Sequence, residues 1–107
     1  MLDDATVAVF ALGSTARSAR YAVNEARKAG IKAGLLRPLT IWPFPDKAVS
    51  EVSKRVKAII VPEMNLGQSV YEVERCAKGL CEVEGIFRVD GEPINPAQIL
   101  DVIKKYR

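Results

Sequence analysis

The sequence predicts an α/β fold: a three-layer α/β/α arrangement around a mostly parallel sheet. Two observations predict it. Short apolar runs alternate with stretches of helical periodicity in the order βαβαβαβα. The runs are continuously apolar, as in strands buried on both faces, which is how parallel sheets read. Right-handed crossovers then narrow the topology.

Each element has its own local signal. Thr6 to Leu12, TVAVFAL, is short and rich in β-branched residues, so it reads as a buried strand. Gly13-Ser14-Thr15 follows as a turn and helix cap. From Ala16 to Ala29, Ala19, Ala22, Val23 and Ala26 fall on one helical face, and Gly30 suits the C′ position that ends the helix. Ile31 to Leu36 is a second strand. Asp46 to Val56 reads as a second helix, with Val49, Val52 and Val56 at intervals of three and four. Ala58 to Pro62 is a third strand. Asn65-Leu66-Gly67-Gln68 is a turn before a third helix, Ser69 to Leu80. Cys81 to Val89 is a fourth strand of open direction, expected to be interrupted near Gly85. After a turn at Asp90 to Pro93, Asn95 caps a last helix with Pro96 at its first position, running through Ile99, Leu100 and Ile103 to the end. Residues 1–5 read as a linker from a preceding domain, and 6–107 as one domain.

The totals limit the function classes. The chain has 107 residues, 49% of them hydrophobic and 27% charged, as in a globular domain with a single core. A net charge of +3, with Lys and Arg scattered beside acids, argues against nucleic acid as a partner. The longest apolar run, Val7 to Leu12, is far short of a membrane span, and the N-terminus lacks the basic and small-residue pattern of a signal peptide. No membrane partner and a cytoplasmic location are therefore expected. Histidine is absent, and Cys76 and Cys81 alone neither complete a zinc site nor ligate a cluster. They read as reduced, partly buried thiols.

Three loops could carry chemistry. Gly13, Ser14 and Thr15 open a helix at the carboxyl end of a strand, where free N–H groups suit an anion. GSTARS lacks the later glycines of a dinucleotide loop and the lysine of a phosphate loop, so Ser14 or Thr15 also fits as a plain N-cap. Glu63, Asn65 and Gln68 lie where a third strand passes into a helix. They suit either an interface or the capping of that helix. Finally, LLRPLTIWPFP (35–45) runs from a strand through Arg37 into the only tryptophan, set among prolines. Pro38 keeps Arg37 extended, Pro43 fixes the turn, and Pro45 fits a helix start. Trp42 and Phe44 are then held on a stiff segment, either as interface anchors or as packing for the domain's own end. No metal cluster, no Ser-His-Asp set and no full phosphate loop is legible, so no catalytic residue is assigned.

At these loops the chain resembles a known family. VAVFALGSTARSA (7–19), GIKAGLLRPLTIWPFP (30–45), IIVPEMNLGQ (59–68) and GEPINPAQILDVI (91–103) are similar to the C-terminal part of the alpha subunit of 2-oxoacid:ferredoxin oxidoreductases. This is the transketolase C-terminal-like domain, called domain II in the pyruvate enzyme. The resemblance implies a noncatalytic structural and assembly domain, inactive alone. The whole enzyme it implies oxidatively decarboxylates a 2-oxoacid to acyl-CoA. That enzyme uses thiamine diphosphate, Mg and an iron-sulfur cluster held by other domains or subunits, with ferredoxin as electron acceptor and coenzyme A as co-substrate. The implied partners are the rest of the alpha subunit and the beta, and in some forms gamma and delta, subunits. The chain is too short for a whole alpha subunit and reads as one domain of it. The alternative is an autonomous anion- or nucleotide-binding module using the Gly13–Thr15 loop. A transketolase or dehydrogenase E1 origin is disfavoured by the WPFP and EMNLGQ segments.

Overall fold

A computed structural model describes residues 4–11, 14–37, 46–63, 68–87 and 94–106; of Ser14, Glu63, Gln68, Ser69 and Phe87 only the backbone is described. The apolar runs form β1 (Val7–Phe10), β2 (Ala33–Leu36), β3 (Ala58–Glu63) and β4 (Glu82–Phe87). Between and after them lie α1 (Ser14–Lys28), α2 (Asp46–Ser53), α3 (Gln68–Ala77) and α4 (Pro96–Lys105). The strands pair in the order β2-β1-β3-β4, all parallel.

Alternation along the strands sorts side chains between two cores. Val7, Val9 and Ile60 pack with Ala19, Ala22, Val23 and Ala26 of α1 and with Ile99 and Ile103 of α4. Ala8, Phe10, Ile59 and Val61 pack with Val49 and Val52 of α2 and Val70, Val73 and Cys76 of α3. This division follows from the strand order. The chain leaves β1 in one direction to reach β2, then travels the other way through β3 to β4. Right-handed crossovers therefore put α1 on one face and α2 and α3 on the other. The small side chains along α1 let it lie close to α4.

The helix ends follow from sequence. Gly30 has φ +85°, and the Gly30 and Ile31 amides donate to Arg27 and Ala26 carbonyls at 3.0 and 2.9 Å. That is the Schellman pairing, with buried Ile31 closing the apolar contact. Asn95 caps α4: its side chain accepts from the Ala97 amide at 2.8 Å, and its own amide donates to Gln98 Oε1 at 3.1 Å. α3 stops at Ala77 because Lys78 and Gly79 take φ of +52° and +79°, three residues before the expected Leu80.

Three further expectations are corrected. α2 ends at Ser53, whose hydroxyl donates back to the Ser50 carbonyl at 2.8 Å, although Val56 stays buried. β4 is not interrupted: Gly85 sits in register with Val61 without a positive φ, so the strand is continuous and its direction is parallel. Thr15 is not the N-cap of α1, since the helix already begins at Ser14. Pro62 is tolerated in an inner strand because the ladder with β1 has ended at Ile60. At the chain's start, Asp4 pairs with Arg27 at 2.8 Å and Ala5 is buried.

Candidate functional site

In a parallel sheet every strand ends on one side, and here those ends are Phe10, Leu36, Glu63 and Phe87. The sheet order changes direction between β1 and β3, the place where open α/β sheets form a crevice. β3 continues for three residues beyond its last pairing with β1, carrying Glu63 past the end of β1.

The topology brings the sequence-predicted residues to this edge to different degrees. Thr15 is buried in the first turn of α1, with 7% exposure, and Ser14 is the first residue of that helix. Arg37 follows β2 directly and is exposed. Glu63 closes β3 opposite Phe87, and Gln68 opens α3. Gly13, Trp42, Phe44 and Asn65 lie outside the described residues. Among the described residues no group of three His, Cys, Asp or Glu gathers as for a metal, and no helix is long and apolar enough to cross a membrane.

Two polar clusters escaped the sequence reading. Asp46, the first residue of α2, takes both arms of Arg75 at 3.0 and 3.3 Å, and Arg75 also reaches Glu72 at 2.7 Å. The Arg75 hydrogen bonds hold the Asp46 carboxyl below its usual range, and the two carboxylates raise Arg75. The Cys76 thiol is pushed up, first by burial and then by its hydrogen bond to Asp46. A cleft of about 360 Å³ beside them is lined by Asp46, Lys47, Ser50, Arg75, Cys76 and Lys78. A thiol raised in this way is a poor nucleophile, and Arg75 is already occupied twice. The cluster therefore clasps α2 to α3. Glu72 and Arg75 at i,i+3 were legible as a pair; Asp46, 29 residues from Arg75, was not.

The second cluster joins β4 to α4. Glu84 accepts from Tyr106 Oη at 2.7 Å and from Lys105 Nζ at 3.0 Å. The hydrogen bond to Glu84 pushes the Tyr106 phenol up to about 12, and the same bond lowers Glu84. Lys105 also stands 5.9 Å above the Tyr106 ring. Nothing in either cluster positions two groups around a reacting atom.

The fold and sequence have known counterparts. The chain is 42% identical over 105 residues to the 2-oxoglutarate synthase subunit KorA of Methanothermobacter thermautotrophicus; the match takes in 98% of this chain and 28% of KorA. Its backbone matches a 2-oxoglutarate:ferredoxin oxidoreductase from Magnetococcus marinus, solved with 2-oxoglutarate, coenzyme A and succinyl-CoA bound, at a TM-score of 0.81 and 24% identity, over 96% of this chain and 18% of that one. A split-gene transketolase, an inactive beta4 tetramer, matches at 0.79 and 20% identity over 97% of this chain and 39% of that one. The two structures establish the fold as transketolase-like. The reading as an autonomous anion- or nucleotide-binding module finds no support in these matches. Residues 5–99 match pyruvate:ferredoxin oxidoreductase core domain II, and the chain belongs to that family.

Proposed function

We propose that this chain is a structural and assembly domain of a 2-oxoacid:ferredoxin oxidoreductase alpha subunit and supplies no catalytic residue. The observation that carries the reading is the family match over residues 5–99, in a chain that spans only 28% of the length of its KorA relative. Chemistry agrees with it. The polar clusters clasp elements together, and a 2-oxoacid decarboxylation needs an electron sink that cofactors, not side chains, provide. In the whole enzyme, thiamine diphosphate with Mg would supply that sink and an iron-sulfur cluster would pass electrons to ferredoxin, with coenzyme A taking the acyl group. These groups belong to other domains or subunits. The substrate is proposed as a class, since pyruvate names the family and 2-oxoglutarate names the relative.

The partners on this reading are the other domains of the alpha subunit and its beta, gamma or delta companions, in the cytoplasm. Residues 1–5 lead in from a preceding domain, and the pairing of Asp4 and burial of Ala5 tie the end of that lead-in to the fold. Arg37, Glu63 and Gln68 at the carboxyl edge, with Trp42, Phe44 and Asn65 from the sequence that follows β2 and β3, are the proposed contacts.

The test is a chimaeric KorA subunit in which this chain replaces domain II, purified with its complex. Trp42→Ala with Phe44→Ala should lower the yield of assembled complex while kcat per assembled complex is unchanged. A fall in kcat with assembly intact would overturn the noncatalytic reading.

A further inference from the structure

Charge is divided unequally across the carboxyl edge. No carboxylate occurs from Ala5 to Asn24 or from Gly30 to Pro45. The first half of α1 and the end of β2 therefore carry only cations: Arg17, Arg20 and Arg37, all exposed. None of the three makes an ion pair with a described residue, whereas Arg27 and Arg75 are each gripped by carboxylates. The described acids at the strand ends and helix starts of this side, Asp46 at the start of α2 and Glu63 at the end of β3, lie outside these two segments.

The arginines are also badly placed for α1 itself. Arg17 borders the first turn, where the helix dipole disfavours a cation, and Arg20 repels it at i+3. With Tyr21, 60% exposed, and Asn24, they fill one outward face at i, i+3, i+4 and i+7. Arginine and tyrosine are the residues that anchor interfaces, and the planar fork of arginine fits carboxylates in pairs.

We infer that Arg17, Arg20, Tyr21 and Arg37 form a docking face for a carboxylate-rich surface of another domain of the same alpha subunit. This rests on the assembly reading above. The occupant follows from two things: the lack of any carboxylate in these two segments, and the large remainder of a subunit of which this chain spans 28% in its KorA relative.

The experiment titrates the chain into the remaining domains of that KorA, expressed without their own domain II, at low and high salt. The unaltered chain should bind, more weakly at high salt. Arg17→Glu with Arg20→Glu and Arg37→Glu should weaken binding roughly tenfold or more. Arg55→Glu, an exposed arginine at the opposite end of the sheet, should leave it unchanged. The same triple variant should keep the cooperative melt of the unaltered chain, which shows that lost binding is not lost folding. Unchanged affinity in the triple variant, or an equal loss in Arg55→Glu, overturns the docking face alone. Failure of the unaltered chain to bind overturns the assembly reading with it. Self-association of the chain that the reversal abolishes would assign the face to a second copy and overturn the proposed occupant.

Discussion

Gly30 and Lys78 stop two helices in the same left-handed backbone region, one with the residue that suits it and one without. A Cβ on Gly30 would meet no atom within 4 Å, so Gly30→Ala isolates the backbone term. It should destabilise by about 1 kcal/mol, seen as a lower urea midpoint at unchanged slope. Lys78→Gly should do the reverse by a few tenths, because relieved strain is partly offset by a more disordered unfolded chain. Tyr106 gives the pH-dependent case. Its phenol is raised from 10.0 to about 12 in the fold, so its contribution is fully present below pH 10 and is lost as pH rises through about 12. Glu84 is lowered, so its contribution is present above its ordinary 4.5 and is lost in acid. Glu84→Gln should bring the last phenolate step of the ultraviolet titration back toward 10.0. An unmoved step would mean that Glu84 is not the acceptor that holds the proton.

At the scale of elements, the last helix was the most legible. Asn95 and Pro96 spell its start locally, and the structure adds Gln98, whose side chain completes a capping box. Asn95→Ala should cost about 1 kcal/mol, again read from a urea midpoint. The ends of α2 and α3 were less legible because serine and lysine are not residue types that mark a helix end. α2 stops where a serine bonds back to its own turn, and α3 stops at a lysine that takes a glycine's conformation. Gly85 misled in the other direction: glycine in a strand suggests a break, yet the register with Val61 holds it extended. The candidate site was legible as loops at strand ends, since parallel topology alone puts Arg37, Glu63 and Gln68 on one edge. The Asp46–Arg75 clasp was not, because a pairing across 29 residues has no periodic trace. As a pair with about half of each side chain exposed, it should contribute little to stability and fade with salt.

The whole molecule depends on how its two cores share one sheet. Ile60 serves the core under α1 and α4, while its neighbours Ile59 and Val61 serve the one under α2 and α3. A cavity on one side therefore weakens a strand that both sides need. Ile60→Ala should cost 2–5 kcal/mol by the usual measure of large-to-small changes at a fully buried site. That is a large share of the stability of a domain this size. The sharper prediction concerns α4, which no later strand in this chain follows. In sequence it looks like an appendage, but Ile99 and Ile103 are fully buried against Val23 and its neighbours on α1. Removing residues 96–107 would bare the part of β3 that α4 covers and the flank of α1, leaving α1 alone over one face of a parallel sheet that needs both faces covered. The shortened chain should lose its cooperative thermal transition and bind an apolar dye. If it still melted as sharply as the full chain, α4 would be an accessory helix and its packing on α1 and β3 would not be needed to hold the fold together.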